Sequence, residues 1–319
     1  MARLSDYLRL LVPQRRARWS IGIYAGATPW SLSPHPALAG QPALDAAALG
    51  SVRADGVADP FIVMQGGAWW MFFEVENRDS GRGEIGLATS ADGVSWRFDG
   101  IVLQEPFHLS YPHVFEWEGQ HYMLPECSAA GSVRLYKASS FPRQWEFHAE
   151  LLRGDLADAT PFRHGGRWWI IAQEGFHRRD AMVVFHAPRL EGPWTAHARN
   201  PIVTGNRRIS RPAGRMIGFD GKLVRLAQDG EPHYGRSVTA FEIDELTPDA
   251  YAEHPLAGPA ELLGPAGRGW NADGMHHMDA HRLAPDAWLA CVDGRRTVWK
   301  WPVADRVSAR LRRVGQRAS

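Results

Sequence analysis

Short apolar runs separated by tight polar turns recur along this chain and predict a series of β-hairpins. Residues 57–74, 109–126 and 156–173 each contain an apolar run, a two-residue turn with glycine, and a second apolar run rich in aromatic residues. This order is typical of a β-hairpin, because such turns connect antiparallel strands. Residues 210–229 and 274–293 repeat the pattern less closely. Internal repetition of one hairpin is therefore the main evidence for the fold.

A second repeated feature lies between the hairpins. Trp96, Trp145 and Trp194 each end a short polar turn, and successive members are 49 residues apart. Each turn separates two further strand-like runs, so a unit of about 50 residues holds four strands. Five such units predict an all-β fold, a five-bladed β-propeller in which residues 19–26 supply a closing strand to the last blade. A two-sheet sandwich is the alternative, and the regular period argues against it.

The two ends of the chain differ from the repeats. Leucines at helical spacing precede three arginines within the first 18 residues, and the last 14 residues are basic. We expect a short N-terminal helix, a basic arm, over residues 1–18, the propeller over residues 19–305, and a basic tail over residues 306–319. The arm either makes peripheral contact with an anionic membrane or packs on the propeller surface.

Composition limits the class of protein and its partners. The 319 residues carry 36 Lys and Arg against 35 Asp and Glu, whereas a nucleic-acid binder has a basic excess. Two cysteines cannot form a disulfide framework, so we expect a reducing, cytoplasmic location, peripheral to the membrane if the arm binds there. No apolar run reaches the roughly 18 residues of a membrane-spanning helix. The 14 Trp residues suit packing between sheets and stacking against sugar rings.

Propeller geometry predicts where the polar residues of the hairpins meet. The first strand of each blade lines the central channel, and the second returns antiparallel, so the start of one and the end of the other share a rim. Pairing residues symmetrically about each turn sets Asp59 opposite Glu74. The same pairing brings charged residues from all five blades to one mouth: Asp59, Glu74, Glu126, Asp158, Arg211, Asp229 and His276.

Carboxylates around a channel are the groups that glycosidic bond chemistry uses. One activates water or attacks the sugar, and a protonated one donates to the leaving oxygen. Mutual repulsion raises one pKa and supplies that acid. The alternative for each carboxylate is a structural role, in which it caps backbone N–H groups. Trp270, in the glycine-rich segment 264–274, is expected to be a stacking platform for a sugar, because loops carry binding residues.

No cofactor is required by any motif in the sequence. Zinc-binding spacings such as CxxC or HExxH are absent. His276 and His277 lie where the axis of a propeller is expected, and an axial calcium ion held through water is an alternative that stays open. We therefore predict no protein-bound metal, with calcium as the exception to test.

Six short motifs carry a resemblance to a known family: VADPF, SADGVSW, HLSYPHVF, YMLPE, FPRQW and LAQDG. Together they resemble the N-terminal domain of plant glucosamine inositolphosphorylceramide transferases and its stand-alone bacterial relatives. That group is similar to the five-bladed propellers of family 43 glycoside hydrolases. The resemblance covers residues 19–300. In the plant proteins, transferase chemistry is attributed to a separate C-terminal domain, which this sequence lacks.

The family 43 pattern assigns roles to three blades, and this chain matches two of them. The resemblance implies that Asp59 is the general base and that Asp158 tunes the pKa of the acid. The blade-four glutamic acid is not matched, because that strand reads ISRPAG and carries Arg211. Glu126 on blade two is the best substitute acid.

Two classes of function follow from these residues. The first is a carbohydrate-active enzyme that cleaves or transfers a glycosyl unit of a surface glycan or glycolipid, with Asp59, Glu126 and Asp158 as catalytic residues. The second is a non-catalytic glycan-recognition module that assists a biosynthetic partner enzyme. A glycosyltransferase is a third, although no nucleotide-binding motif is present. Arg211 would bind an anionic group such as a phosphate or uronate. The predicted substrate-binding residues are Glu74, Tyr111, His113, Arg211, Asp229, Trp270 and His276.

Overall fold

The computed structural model describes residues 12–177 and 180–301. Within them the strands form five antiparallel sheets, and each sheet packs against the next around a ring. The predicted five-bladed β-propeller is confirmed. The predicted tail and the three leucines of the predicted N-terminal helix lie outside the described residues.

The strands are numbered in chain order, and each blade runs from the central channel outward. Two strands precede blade one: β1 (Gln14–Gly26) and β2 (Ser33–Pro34). Blade one contains β3 (Ala54–Gln65), β4 (Ala68–Asn77), β5 (Arg82–Ser90) and β6 (Arg97–Leu103). Blade two contains β7 (Ser110–Trp117), β8 (Gln120–Glu126), β9 (Ser132–Ser140) and β10 (Gln144–Arg153). Blade three contains β11 (Leu156–His164), β12 (Arg167–Glu174), β13 (Ala181–Ala187) and β14 (Thr195–Ala196).

Blade four divides its inner strand in two, and blade five joins the two ends of the described chain. Blade four contains β15 (Arg211–Pro212), β16 (Ile217–Phe219), β17 (Lys222–Asp229), β18 (Ser237–Leu246) and β19 (Tyr251–Pro255). Blade five contains β20 (Met278–Ala284) and β21 (Ala287–Lys300), together with β1 and β2. Short 3-10 helices occur in the connections: Pro36–Leu38, Ala46–Leu49, Ser128–Ala130 and Gly269–Asn271. None of the helices in the described part of the chain has the length and hydropathy to cross a membrane.

Strand β1 closes the ring. It pairs with β21 from Gln14 opposite Lys300 to Gly26 opposite Trp288, and the sheet order is β2-β1-β21-β20. The predicted closing strand is therefore present, and it is longer than expected. Residues 14–18, which we assigned to the N-terminal helix or arm, are in this strand instead. They are extended because pairing with β21 satisfies their backbone groups. This pairing outweighs the helical spacing of the leucines that precede them.

The hydrophobic core consists of five clusters, one between each pair of adjacent blades. Consecutive tryptophans show how one strand serves two clusters. Trp168 packs between blades two and three, whereas Trp169 packs between blades three and four. Successive side chains of a strand point to opposite faces of the sheet, so a Trp-Trp pair fills both neighbouring interfaces. The aromatic pairs are thus packing residues.

A β-bulge occurs at the same point on the inner strands of blades one, two and three. Asp59, Tyr111 and Asp158 have φ angles of +52°, +45° and +50°. The pairing register shifts there, so that Ala58, and not Asp59, lies opposite Glu74. The symmetric pairing that we predicted is wrong by one residue, because a bulge adds a residue to one strand only. Its effect is to turn these three side chains toward the channel.

Candidate functional site

Asp59 lies at the centre of a cluster of buried charged groups. Its Oδ2 accepts a hydrogen bond from the Tyr111 backbone N–H at 3.2 Å, and its own N–H donates to Asp293 at 3.2 Å. Its Oδ1 has no hydrogen-bond partner among the described residues and lies 3.8 Å from His276 Nε2. Burial raises the pKa of Asp59 well above its usual value; His276 opposes this, and nearby carboxylates add to it. The protonated form of Asp59 is therefore favoured over a wider pH range than that of an exposed aspartic acid.

His276 connects Asp59 to the surface of the channel mouth. Its Nδ1 lies 2.7 Å from Asp293 Oδ2, its Nε2 lies 2.8 Å from the Tyr234 hydroxyl, and its ring stacks on Trp19 with centroids 4.1 Å apart. Burial opposes a charge on His276, but Asp293 and Asp59 outweigh it and raise its pKa. The charged form of His276 is thus stabilised by its carboxyl neighbours, chiefly by Asp293.

Asp158 is held by the arginine that replaces the expected blade-four acid. Arg211 donates through Nε to Asp158 Oδ2 at 2.5 Å and through Nη2 to Oδ1 at 3.0 Å. Gln228 Nε2 donates to the same carboxylate at 2.8 Å. The guanidinium lies between the rings of Phe176 and Tyr234, with centroid distances of 5.1 and 5.3 Å. Burial opposes the charge of Arg211, but Asp158 outweighs it and raises the arginine's pKa.

Glu126 and Glu74 lie on the second strands of blades two and one. Glu126 accepts hydrogen bonds from the Ser128 backbone N–H at 2.7 Å and the Ser110 hydroxyl at 3.2 Å. Burial raises the pKa of Glu126, and the hydrogen bonds from Ser128 oppose this. Glu74 lies 3.1 Å from His108 Nε2. Both carboxylates are buried and both already have protein partners.

Tyr111 fills the channel instead of facing a ligand. Its hydroxyl lies 2.8 Å from Thr160 Oγ1, accepts the Gly214 N–H at 2.8 Å, and donates to the Gly214 carbonyl at 3.1 Å. Gly214 has a φ of +139°, and a Cβ there would lie 1.9 Å from the Met278 carbonyl oxygen. Only glycine fits this close approach. Through its contacts with Thr160 and Gly214, Tyr111 connects blades two, three and four. Its hydroxyl is therefore occupied by contacts within the protein, and the predicted substrate contact of Tyr111 stays a prediction.

His113 is also buried in the channel. Its ring stacks on Phe61 at 4.7 Å between centroids, and its Nε2 lies 3.3 Å from Arg215 Nη1. Arg215 in turn donates to Asp279 at 2.8 Å. Burial lowers the pKa of His113 well below its usual value, and the charge of Arg215 adds to this. The structure therefore places His113 in packing, where our sequence analysis expected substrate binding.

A pocket of about 250 Å³ opens beside this cluster, and we call it the Arg211 pocket. Its walls come from the segment that precedes β15, from β15 and β17, and from the loop that follows β17: Arg207, Arg211, Gln228, Gly230, Glu231, Pro232, His233 and Tyr234. Tyr234 reaches from the pocket to His276, and Arg211 reaches from it to Asp158. The pocket therefore adjoins both parts of the charged cluster. It is the place where a ligand can approach these groups.

Two predicted site residues lie apart from the charged cluster. Asp229 accepts from Arg208 Nη1 at 2.9 Å and from the Glu231 N–H at 2.9 Å, at the edge of the Arg211 pocket. Trp270 packs on the core between blades four and five, against Gly22 and Gly294. Its ring covers the glycine positions of β1 and β21 and also lines a second pocket of about 480 Å³, so a sugar platform at Trp270 stays a prediction.

Asp59, His276 and Asp293 offer the nearest approach to a metal-binding group at the axis. One ligand atom from each lies within 4.8 Å of the others. Calcium takes six to eight oxygen ligands, and here one donor is an imidazole already close to a carboxylate and a tyrosine hydroxyl. An axial calcium ion stays a prediction.

Sequence reasoning missed Tyr234, which lines the pocket and contacts His276. The position of Tyr234 in the chain could have indicated this role, because a loop after the second strand of a blade lies on the same rim as the mouth. The hairpin repeat does not include this loop, EPHYGR, so the sequence analysis did not assign it to the site. Gly214 was missed because its role depends on a contact with Met278 in another blade.

Solved structures with the same architecture are glycoside hydrolases. Zg3597, a family 117 glycoside hydrolase of Zobellia galactanivorans, aligns with a TM-score of 0.52 and 14% identity, over 89% of this chain and 91% of its own. A thermostable family-43 glycoside hydrolase aligns with a TM-score of 0.50 and 16% identity, over 66% of this chain and 77% of its own. The fold of this chain is a five-bladed β-propeller like that of family 43 glycoside hydrolases.

Sequence similarity then gives the family. Residues 13–295 match the family described as "Glucosamine inositolphosphorylceramide transferase 1, N-terminal". A protein of Oryza sativa subsp. japonica named Glucosamine inositolphosphorylceramide transferase 1 is 34% identical over an alignment of 305 residues. The alignment covers 89% of this chain and 41% of the relative. The chain belongs to this family of N-terminal domains. It spans about two-fifths of the length of the curated relatives that it matches.

Proposed function

We propose that this chain recognises a saccharide at the mouth of its central channel, and that it does so without hydrolysing the ligand by a family 43 mechanism. One observation carries the proposal: Arg211 occupies the blade-four position and binds Asp158 through two nitrogens. An arginine cannot donate a proton as a general acid, because it stays charged.

The hydrogen bonds of the other carboxylates support a binding role. Glycoside hydrolysis needs one carboxyl group to protonate the leaving oxygen and another to attack or to activate water. Asp158 is committed to Arg211 and Gln228, and Glu126 is committed to Ser110 and Ser128. Among Asp59, Glu126 and Asp158, only Asp59 has a buried oxygen without a hydrogen-bond partner among the described residues. One available carboxyl suffices to bind a sugar hydroxyl, whereas hydrolysis needs two.

The names of the relatives suggest which saccharides to test. The curated relatives are named as glucosamine inositolphosphorylceramide transferases, so amino sugars and inositol glycosides are the first ligand class. On this proposal the chain holds a glycan or glycolipid for a biosynthetic partner enzyme. Contact with a membrane surface would then come with the lipid of the ligand.

The test is binding and turnover measured on the same saccharides. A panel of glucosamine and inositol glycosides is screened on an array, and hits are measured by calorimetry with product release followed in parallel. We expect saturable binding without product, weakened about tenfold in Asp59→Asn by loss of one hydrogen bond to a charged or proton-bearing group. Asp99→Asn removes a carboxylate on the outer strand of blade one and is the control. If no glycoside binds, the proposal is wrong.

A second candidate function is glycosyl transfer or cleavage with Asp59 as the acid or base. The raised pKa of Asp59 favours it, because burial that stabilises the protonated form of a carboxyl group suits that group to general acid catalysis. Turnover of any glycan that disappears in both Asp59→Asn and Glu126→Gln would establish this function in place of simple recognition.

A further inference from the structure

We infer that the Arg211 pocket binds a phosphoryl group carried by the ligand, through Arg211 and Arg207. This inference rests on the proposed recognition of a saccharide and adds the charge of the group that accompanies the sugar. It commits the pocket to one chemistry, an anion with several oxygen acceptors.

Arg211 supplies the first observation. Its Nη1 is buried and has no hydrogen-bond partner among the described residues, although Nε and Nη2 are both bound to Asp158. A buried donor without an acceptor is rare in folded proteins, because the group has lost its water without a replacement. Arg211 is only 5% exposed and lines the pocket. An acceptor oxygen of a ligand would complete its hydrogen bonding.

Arg207 supplies the second observation. It lines the same pocket, its side chain is exposed, and no carboxylate among the described residues pairs with it. The neighbouring Arg208 is different, since it is paired with Asp229 at 2.9 Å. Two planar guanidinium groups on one pocket can present several N–H donors to the oxygens of a tetrahedral phosphoryl group.

Negative groups at the pocket set its selectivity. Glu231 is in the lining, and Asp158 neutralises Arg211. The positive charge that remains is mainly that of Arg207, so a phosphodiester, which carries one negative charge, suits the pocket better than a diphosphate, which carries two. Tyr234 and Gln228 are in the lining too and offer polar contacts to the sugar or polyol next to the phosphoryl group.

The volume agrees with this assignment. About 250 Å³ accommodates a phosphoryl group and part of an attached ring, since drug-sized ligands occupy pockets of about 300 Å³ and more. The phosphoryl group can come from two sources, a phosphodiester of a glycolipid headgroup or the diphosphate of an activated sugar. Both share the oxygens that the two arginines would bind.

The experiment measures binding of three soluble probes to the full chain by calorimetry. The probes are glycerophosphoinositol, a uridine diphosphate amino sugar, and neutral myo-inositol. We expect at least one phosphoryl probe to bind tenfold or more tightly than myo-inositol, with an affinity that falls as salt concentration rises. The probe that binds identifies the source. Equal affinities for all three probes, or no binding of either phosphoryl probe, would overturn the inference.

Variants locate the binding. Arg207→Gln changes an exposed side chain and is expected to weaken the phosphoryl probe at least fivefold while leaving neutral glycoside binding intact. Arg211→Gln combined with Asp158→Asn replaces the buried pair by neutral groups and is expected to abolish the phosphoryl preference. Arg225→Gln with Glu253→Gln is the matched control, because this buried pair is on the same blade and outside the pocket. If Arg207→Gln binds the probe like the unchanged chain, the subsite is wrong.

The two proposals fail separately. Saccharide binding that is indifferent to a phosphoryl group overturns the subsite and leaves the proposed function. Binding of phosphoryl probes that depends on Arg207, without binding of any glycoside, supports the subsite and overturns the proposed function.

Discussion

Arg211 shows how one side chain changes the chemistry of a fold. A carboxylic acid at this blade-four position would face Asp158 as a second titratable acid, and repulsion would push their pKa values apart. The guanidinium instead fixes Asp158 as a charged partner through two hydrogen bonds. Asp59, two blades away, keeps an oxygen without such a partner among the described residues. The charged cluster is thereby suited to holding a ligand.

Glu76 on β4 allows a test of the electrostatics of this region. Burial raises its pKa to about 7, and the carboxylates of Glu74 and Asp55 add to this. The folded chain therefore keeps a proton that the unfolded chain loses near pH 4.5, so this group's contribution is full below that pH and is lost as pH rises through 7. We expect Glu76→Gln to be more stable at pH 8 by about 1 kcal/mol, a value reduced for partial exposure.

The measurement is urea unfolding of both proteins at pH 5 and pH 8. The stability difference between them is expected to grow as pH rises, and Glu146→Gln on β10 controls for the loss of one exposed carboxylate. A difference that is the same at both pH values would show that Glu76 does not have a raised pKa.

The repeated turn tryptophans act at the scale of single elements. The indole N–H of Trp96, Trp145 and Trp194 donates to the carbonyl of Gly93, Pro142 and Leu190, three or four residues earlier, at 2.9 to 3.1 Å. The ring of each then packs between neighbouring blades. One residue thus fixes the turn and fills the interface. This double role explains why the tryptophan period marks the blades.

Trp145→Phe tests that double role. The substitution keeps an aromatic ring but removes the hydrogen bond to Pro142, and it changes the edge-to-face contact with Phe72 at 5.4 Å. We expect a loss of about 1 to 2 kcal/mol in the free energy of unfolding. Chemical denaturation measures it, with Trp299→Phe as the control, since Trp299 is 66% exposed. Equal stability of the two variants would contradict the assignment.

Closure of the ring is a property of the whole molecule. Strand β1 comes from one end of the described chain and β21 from the other, and their pairing completes blade five. A closed ring leaves each blade covered by two neighbours, so no sheet face is exposed and the blades depend on one another. We therefore expect the described propeller to unfold as one cooperative unit.

Ile21→Ala examines this dependence. Ile21 is fully buried in β1, in the cluster between blades five and one. We expect the substitution to cost about 2 to 5 kcal/mol, as other large-to-small changes in cores do. Hydrogen exchange should show lower protection in the inner strands of all five blades, whereas Val12→Ala, at an exposed residue, should change little. Lower protection confined to blade five would contradict cooperative closure.

The repeat can be read from the amino-acid sequence alone. It predicts the number of blades, the closing strand and the packing role of the paired tryptophans. These features are local or periodic: turns, alternation and spacing are written along the chain. It also placed acidic residues of separate blades at one rim, because the rim position follows from the hairpin turn.

Tertiary structure alone decided which of those residues are available. The bulges at Asp59, Tyr111 and Asp158 shifted the register by a residue, and contacts across the channel saturated Tyr111 and Asp158. Trp270 packs against the glycines of β1 and β21, and the Tyr234 hydroxyl contacts His276. These outcomes depend on atoms that are distant in the chain, and local pattern holds no information on which partner a buried polar group meets.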